Sequence, residues 1–438
     1  MVGEVRMVSA RNRLIAALIV GLALDYASGA QVAATRDAAR ISPTFSRTIA
    51  PILFQHCAVC HHPGEVAPFP LLTYEDARGH AKQIAMVTQK RYMPPWQPET
   101  GYGNFSNDRR LTDAQIQLIQ EWVAAGAPEG RTQDLPPVPQ FTDGWQLGRP
   151  ELVLAMPSAV EVPANSPETY RCFVLPVGLA ADRYVKAVEF RPGGSGAVHH
   201  AIVVQDSRGA GRRLEKRPGE GYPCGGGFGF AMPGMLTMWT AGTVAHADPE
   251  GIATVLKRNS DLVVQLHLRS GKQPRKAQAA IGLYFAEKPP ARTPMDLSVT
   301  SYDVDIPAGE RNHKVTGFSY VPLDMDAFSI FAHAHYLATG FDVNATLPTG
   351  EVKRLLLIRH WNFDWQENYW FATPVRLPAG TRIDMEVQYD NSENNPRNPN
   401  SPPRRVTWGF LTTDEMCEVH VRGVSVEANA HPMPDGGH

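Results

Sequence analysis

Apolar positions follow two different periods along this chain. From about Ile41 to Gly130 they recur at helical spacing. The stretch Ser46 to Phe54 predicts one helix. Ile116, Ile119, Trp122 and Val123, three and four apart, predict another. Thr112-Asp113-Ala114-Gln115 is a capping box ahead of the second, and Gly126 with Pro128 ends it. A proline-rich linker, Asp134 to Gln140, follows, and then the period changes. Tyr184–Phe190, Ala201–Gln205, Leu262–Leu268, Ile281–Ala286, Phe328–His335, Arg354–Ile358, Arg382–Tyr389 and Arg405–Phe410 are short apolar or alternating runs between turn residues, so each predicts a strand. So many strands without helices between them predict sandwiches or barrels. A proline-rich break at Glu287–Pro294 splits them into two halves of sandwich size. Asn391–Pro403, dense in Asn and Pro, reads as a long ordered loop.

Length and composition agree with this division. The 438 residues are too many for one core. Gly and Pro, 37 each, favour turns and short strands over long helices. The charged residues are mixed and sum to −2, which gives no footprint for nucleic acid or another polyanion. The N-terminus has Arg6, Arg11 and Arg13, an apolar run from Leu14 to Leu24, then Ala27-Ser28-Gly29-Ala30. That order predicts a secretory signal over residues 1–30 and a periplasmic or secreted protein. The run is short for a membrane span, and Asp25 interrupts it, which weighs against an uncleaved anchor.

Cys57-Ala58-Val59-Cys60-His61 supplies the first chemistry. Two thiols three apart with a histidine directly after the second predict one covalent c-type haem, with His61 as the proximal iron ligand. Zinc binding or disulfide cycling are the alternatives for a Cys-x-x-Cys. The following histidine, the exported context and the lack of a second Cys-x-x-Cys argue against both. A helix before the motif and an amphipathic helix at the end is the plan of a small cytochrome c. In Arg91-Tyr92-Met93-Pro94-Pro95-Trp96, the Met93 thioether is the expected sixth ligand, held by a stiff loop. Met86 looks helical and fits less well; His56, His62 and His80 are the substitutes. Of the remaining cysteines, Cys172, Cys224 and Cys417, at most one pair can form a disulfide, and the sequence does not choose it.

The second chemistry lies in the β region. His199-His200 stand side by side at a strand start, His267 ends Val264-Gln265-Leu266-His267, and His333-Ala334-His335 is a His-x-His. Residues two apart in a strand share a face, so His333 and His335 can chelate one ion. Adjacent residues point oppositely, so His199 and His200 can share a metal only if the strand bends or a ring turns back. Five histidines on apolar strands are costly to bury without ligands or hydrogen bonds.

These motifs, followed by Thr413-Asp414-Glu415-Met416-Cys417, resemble in order and context the type II copper, ascorbate-dependent monooxygenases, the peptidylglycine α-hydroxylating and dopamine β-monooxygenase family. The resemblance runs from about Gly144 to Gly423. It includes Thr169-Tyr170-Arg171-Cys172 and Asn362-Phe363-Asp364-Trp365-Gln366. It implies two jelly-roll sandwiches, each carrying a copper, facing one another across an open cleft. His199, His200 and His267 would hold an electron-transfer copper. His333, His335 and Met416 would hold the catalytic copper, where dioxygen binds. Two imidazoles with a thioether favour Cu(I). The family arginine two residues before the His-x-His is Phe331 here, and family asparagine and tyrosine positions after the Met-Cys pair are Glu418 and His420. The clamp for a peptide carboxylate is therefore missing. The family's disulfide pattern is not inherited either, because the usual partners of Cys172 and Cys417 are absent.

The expected fold class is a small all-α cytochrome c domain followed by two all-β jelly-roll sandwich domains. The expected division is a signal peptide at 1–30, a haem domain at 41–130, a linker at 131–143, β-sandwiches at 144–290 and 291–428, and a tail at 429–438. The resemblance implies a copper monooxygenase that hydroxylates an activated C–H of a small-molecule substrate with dioxygen. Electrons would come from an external donor, ascorbate or a redox protein, and the haem would refill the two coppers one at a time. A non-catalytic haem and copper electron-transfer or copper-handling protein is the alternative.

Overall fold

The computed structural model describes residues 42–427 except 66, 142–143, 195 and 232–233. The expected signal peptide and tail lie outside the described residues. Near the N-terminus, a π-turn at Phe45–Ile49 runs into α1 (Ala50–His56), with Pro51 in its first turn where a missing N–H costs nothing. Then come α2 (Tyr74–Gly79), α3 (Ala81–Gln89) and α4 (Asp113–Ala124). The Thr112 side chain accepts from the Gln115 N–H, and the Gln115 side chain accepts from the Thr112 N–H, as the capping box predicts. These helices close around Phe45, Ile49, Leu53, Ile84, Ile119 and Trp122.

The expected fold class needs correction. The chain is mostly β, 37% strand against 12% helix, and its five α-helices among the described residues are short. They do not make a self-contained all-α cytochrome domain. Residues 94–110, counted in that domain from the sequence, leave the helices as extended chain and dock on the second β unit. Pro98 bridges Ile358 and Phe105 bridges Phe371. The N–H groups of Glu99 and Ser106 donate to Leu357 and Trp370, both at 2.8 Å. Phe105 is buried in the core of that unit among Tyr369, Phe371 and Leu355. The local periodicity of the flanking helices gives no sign of this, because the partners lie some 250 residues away in sequence.

Two β units follow. The first contains β1 (Leu152–Ala155), β2 (Thr169–Pro176), β3 (Arg183–Arg191), β4 (Val198–Asp206), β5 (Met235–Thr240), β6 (Thr254–Leu256), β7 (Asp261–Leu268) and β8 (Ala280–Phe285). The second contains β9 (Pro294–Thr300), β10 (His313–Tyr320), β11 (Met325–His333), β12 (Ala338–Thr346), β13 (Val352–Ile358), β14 (Asn368–Leu377), β15 (Arg382–Tyr389) and β16 (Glu418–Ser425). Shorter pairs decorate both. The antiparallel sheets run β1-β8-β3-β6 and β2-β7-β4-β5 in the first unit, and β9-β16-β11-β14 and β10-β15-β12-β13 in the second. The second unit thus repeats the strand order of the first. One core, with Phe173, Val203, Leu262 and Ile281, joins the first pair of sheets. Another, with Ile330, Phe341, Leu356 and Val421, joins the second.

Cys172 and Cys224 form the disulfide, with Cα atoms 5.9 Å apart, and Cys417 is a free buried thiol. The Asn391–Pro403 loop is pinned by Asn391, whose Nδ2 donates to the carbonyls of Ile306, Pro307 and Arg404. The Arg405–Phe410 run forms a strand only at Val406–Thr407, with Trp408 in an isolated bridge to Glu415.

If residues 94–110 belong to the second β unit, Phe105→Ala should destabilise that unit by about 3 kcal/mol, the usual cost of deleting a buried phenyl ring. Denaturant unfolding followed by β-sheet circular dichroism reads this. An unchanged midpoint would place Phe105 outside the β core.

Candidate metal centres

One row of residues crosses the first unit's sheet. Tyr170 on β2 faces His267 on β7, His267 faces His200 on β4, and His200 faces Thr240 on β5. The register slips between Val198 and His200, a bulge that supplies the bend which adjacent histidines need to share a site. The ring of His267 is 4.9 Å from that of His200 and 5.2 Å from that of His199. Each of the three rings offers a nitrogen, and these nitrogens all lie within 4.8 Å of one another. His267 Nε2 donates to Glu168 Oε2 at 3.0 Å, while its buried Nδ1 has no partner. The His199 and His200 Nδ1 atoms face each other at 3.4 Å. Tyr170 stacks on His267 with ring centres 4.3 Å apart, which fixes the ring plane. Burial pushes Glu168 up, but hydrogen bonds from His267 and Thr412 and the Arg269 charge outweigh it, and the carboxylate stays below its usual range. Burial first, then the neighbouring imidazoles, hold His199 and His200 well below the ordinary histidine value.

The second group comes from the other unit. His333 ends β11, opposite Glu418, and His335 follows it. His333 Nδ1 donates to Gln366 Oε1 at 2.6 Å, and His335 Nδ1 donates to the Asp414 carbonyl at 3.0 Å. Both rings therefore keep Nε2 as the lone-pair nitrogen. Buried Glu415 accepts the N–H groups of His335, Leu337 and Met416, so one carboxyl group shapes both ends of this site. Burial pushes Glu415 up to about 8 in spite of those N–H donors. Met416 is buried, and its carbonyl accepts from Tyr389 Oη at 2.6 Å. Burial, then His333, pushes His335 down to about 3.

The two groups adjoin. The rings of His200 and His333 are 6.3 Å apart, closer than two sites separated by an open cleft would be. Phe363 sits between them, stacked on His199 at 4.4 Å and edge-on to His335 at 5.7 Å. Bonds between the units hold this contact. Thr412 Oγ1 donates to Glu168, Thr240 Oγ1 to the Gln366 carbonyl, and Tyr170 Oη to the Phe410 carbonyl. Gly226, at φ +91°, leaves the space that Phe410 fills.

The donor sets fit metals. Three imidazole nitrogens, one of them a buried orphan backed by a carboxylate on its far side, match a borderline ion such as copper or zinc. Two imidazoles beside a thioether-bearing residue match a softer one. The Cys57–His61 motif is a separate site. Its N–H groups wind one more turn onto α1, with Cys60 and His61 both donating to the Cys57 carbonyl at 3.1 and 2.9 Å. His61 Nδ1 donates to the Phe69 carbonyl, also at 2.9 Å, which leaves Nε2 for an iron ligand. Burial pushes the Cys57 and Cys60 thiols up to about 12 and about 11, which is opposite to a redox-cycling Cys-x-x-Cys. Both are free thiols and fit covalent attachment. Met93 stands half-buried in the turn after α3. The imidazole near His61 is His80, stacked on Phe69 with ring centres 3.7 Å apart. His56 has both ring nitrogens engaged, by Arg109 and Gln115. His62 stacks on Phe141.

A small open cleft, with a cavity of about 70 Å³, lies between the units, lined by Met235, Met238, Phe331, Trp370, His420 and Arg422 among others. Ser329, Phe331 and His333 alternate along β11 onto one face, so the cleft leads to the His333 group. Asp248 and Asp296 pair with Arg422 in its wall. Sequence reasoning missed Glu168, Glu415 and the Arg109–Glu367 ion pair. A carboxylate alone carries no local signal for its role, although Glu415 stands inside and Glu168 beside stretches that resemble the monooxygenases.

Comparison with known proteins adds no identity. No family model and no curated protein matches the chain. Among solved structures it is similar to the major capsid protein P2 of bacteriophage PM2, at 10% identity over 64% of this chain and 99% of that one, with a TM-score of 0.27. It is also similar to the VP2 subviral particle of infectious bursal disease virus, at 8% identity over 63% and 72%, with a TM-score of 0.19. A Paenibacillus xanthan lyase matches at 10% identity over 70% and 29%, with a TM-score of 0.18. Scores this low carry no argument about fold or function.

Two outcomes follow from the geometry. Glu168→Gln, which removes the charge behind His267, should weaken metal binding at the triad by about 10- to 100-fold; competition titration with a chromophoric chelator measures it, and unchanged affinity would contradict the orienting role. The second concerns pH. His335 stays neutral in the fold down to about 3, whereas in the unfolded chain it takes a proton near the ordinary 6.5. The unfolded state therefore binds more protons between these values, and this ring's contribution to stability is lost as pH falls through that window. The melting temperature of chelator-treated protein should fall more steeply from pH 7 to pH 5 than that of His335→Gln. Equal slopes would contradict it.

Proposed function

We propose that this chain is an exported, copper-dependent monooxygenase that hydroxylates an activated C–H of a small-molecule substrate with dioxygen and carries its own c-type haem. The observation that supports it most is the convergence of the His199–His200–His267 triad and the His333–His335 pair, with the uncommitted nitrogen of His267, His333 and His335 opposite an anchored one. When bound, two coppers and one haem would supply the one-electron steps that dioxygen chemistry requires. The protein's part is to hold and to exclude. Glu168 and Tyr170 fix His267, Gln366 fixes His333, and Asp414 with Glu415 fixes His335 and the backbone of Met416. Phe363 and the contacts between the units keep bulk water from the imidazoles. The cleft beside Phe331 offers thioether and aromatic walls to the substrate. With Phe331, Glu418 and His420 in place of the peptide-carboxylate clamp, a peptidylglycine substrate does not suit it. The external donor would be ascorbate or a redox protein.

Metal analysis of protein made in copper-replete, haem-maturing cells should give two coppers and one haem that survives acid–acetone extraction. His267→Ala should lose one copper, and Met416→Ala should weaken the other mainly as Cu(I). Reduced holoprotein should consume dioxygen in step with product when screened against apolar and aromatic substrates, and His333→Ala should not. Full metal content without substrate-dependent oxygen uptake would leave the electron-transfer or copper-handling alternative.

A further inference from the structure

Met235 and Met238 stand in a part of the molecule that the metal groups above do not use. Both lie on β5, the edge strand of its sheet. The register between β4 and β5 slips between Val203 and Val204, so Met238 faces Ile202 and Met235 faces Val204. β4 itself runs in regular register with β7 there. Ile202 and Val204, two apart, therefore share one face of the sheet, and the two methionines share it with them. Residues three apart in a regular strand would point oppositely; the bulge brings these thioethers to one side. Methionine is most often a filler of apolar cores. On β5 that work falls to Leu236 and Trp239, which are buried in the first unit's core, whereas Met235 and Met238 are only half-buried and lie outside it.

Both methionines line the cleft between the units, and His246 lines it too. The His246 ring lies flat on Trp370, with ring centres 4.0 Å apart. Its Nδ1 donates to the Ala247 carbonyl at 2.7 Å, which leaves Nε2 as the lone-pair nitrogen. The same device, an anchored Nδ1 and a lone pair on Nε2, marks His333 and His335. His420, the other imidazole in the cleft wall, is not free in this way: Ser298 Oγ takes its Nδ1 at 2.9 Å, and Glu418 stands 3.5 Å from its Nε2. The wall also carries an excess of negative charge. Asp248 and Asp296 face one guanidinium, that of Arg422. Burial pushes Asp248 up to about 6 against the pull of Arg422, and Asp296 adds to the rise. A cation in the cleft relieves that excess, and a cavity of about 70 Å³ has room for one ion with its water.

We infer that Met235, Met238 and His246 form a further metal site on the cleft wall, built for a soft monovalent cation, copper(I) above all. Two neutral thioethers and one neutral imidazole suit a soft ion of low charge. They offer a harder divalent ion such as zinc too few of the nitrogen, oxygen or thiolate donors that it takes. The site goes beyond the two groups described above and does not depend on either being filled.

Silver(I), a soft monovalent ion that keeps one oxidation state, is the probe. Chelator-treated full-length protein with methyl-labelled methionine is titrated with silver nitrate and followed by NMR, the methyl signals being assigned by single leucine substitutions. The Met235 and Met238 signals should move together along one binding curve. They should do so before the signal of Met86, which is 50% exposed and reports adventitious binding. Zinc at the same concentration should leave both in place. Met238→Leu should hold the Met235 signal still. His246→Gln should raise the silver concentration at half-shift by at least about tenfold, or about 1.4 kcal/mol. In each variant the other methyl signals should keep their wild-type positions, which an unfolded chain would not allow. Met235 and Met238 signals that stay fixed, that move on separate curves, or that move only with Met86 would overturn the inference. So would an unchanged curve in His246→Gln. Movement of the Met416 methyl alone would overturn it too, while leaving the His333 group standing as a metal site.

Discussion

Five imidazoles cannot be put inside a protein without partners, and the rest of this structure depends on how that constraint is met. His200, His267, His333 and His335 are buried and His199 nearly so. A buried polar ring nitrogen left unpaired costs on the order of 1–3 kcal/mol. The fold answers by dividing the work within three of these rings. Glu168, Gln366 and the Asp414 carbonyl each take one nitrogen of a ring, and the other is turned towards its neighbours. Where no partner is supplied, at His267 Nδ1, the orphan faces the triad. That arrangement is what a metal site asks for, and it draws the two β units together.

Closure between the units is the second consequence. The groups lie on different units, yet the His200 and His333 rings are only 6.3 Å apart. Glu168 serves both sides, orienting His267 and accepting from Thr412 of the other unit. Gln366 does the same in reverse, through His333 and Thr240. Ligand orientation and docking are thus carried by the same residues, by the Glu168 side chain on one side and by the side chain and carbonyl of Gln366 on the other.

Much of this was legible in the sequence wherever the signal is local. The capping box at Thr112 and the run Ile116 to Val123 mark α4 to within a residue. The alternating and apolar runs mark seven of the sixteen strands named above, while β2, β10, β12, β14 and β16 are among those they did not mark. The need for a bend at His199-His200 is met by the bulge after Val198, whereas the strand ends at His333, so strand alternation is not what places His335. Contacts made over long separations were not legible. Residues 94–110 look like an interhelical loop until their partners at 354–371 are known, and this is why an all-α haem domain was expected and not found. Glu168, Arg109 and Glu367 are ordinary charged residues in sequence; only burial beside a partner gives them a role. The disulfide needed the fold to choose Cys224 over Cys417.

The central claim is that histidines from both units hold copper in two chemically different sites. Copper-edge X-ray absorption of the dithionite-reduced holoprotein tests it most directly. The account predicts an average shell dominated by imidazole nitrogen with one sulfur scatterer, and loss of that sulfur alone in Met416→Leu. A shell without imidazole scattering, or one whose sulfur persists in Met416→Leu, would contradict it.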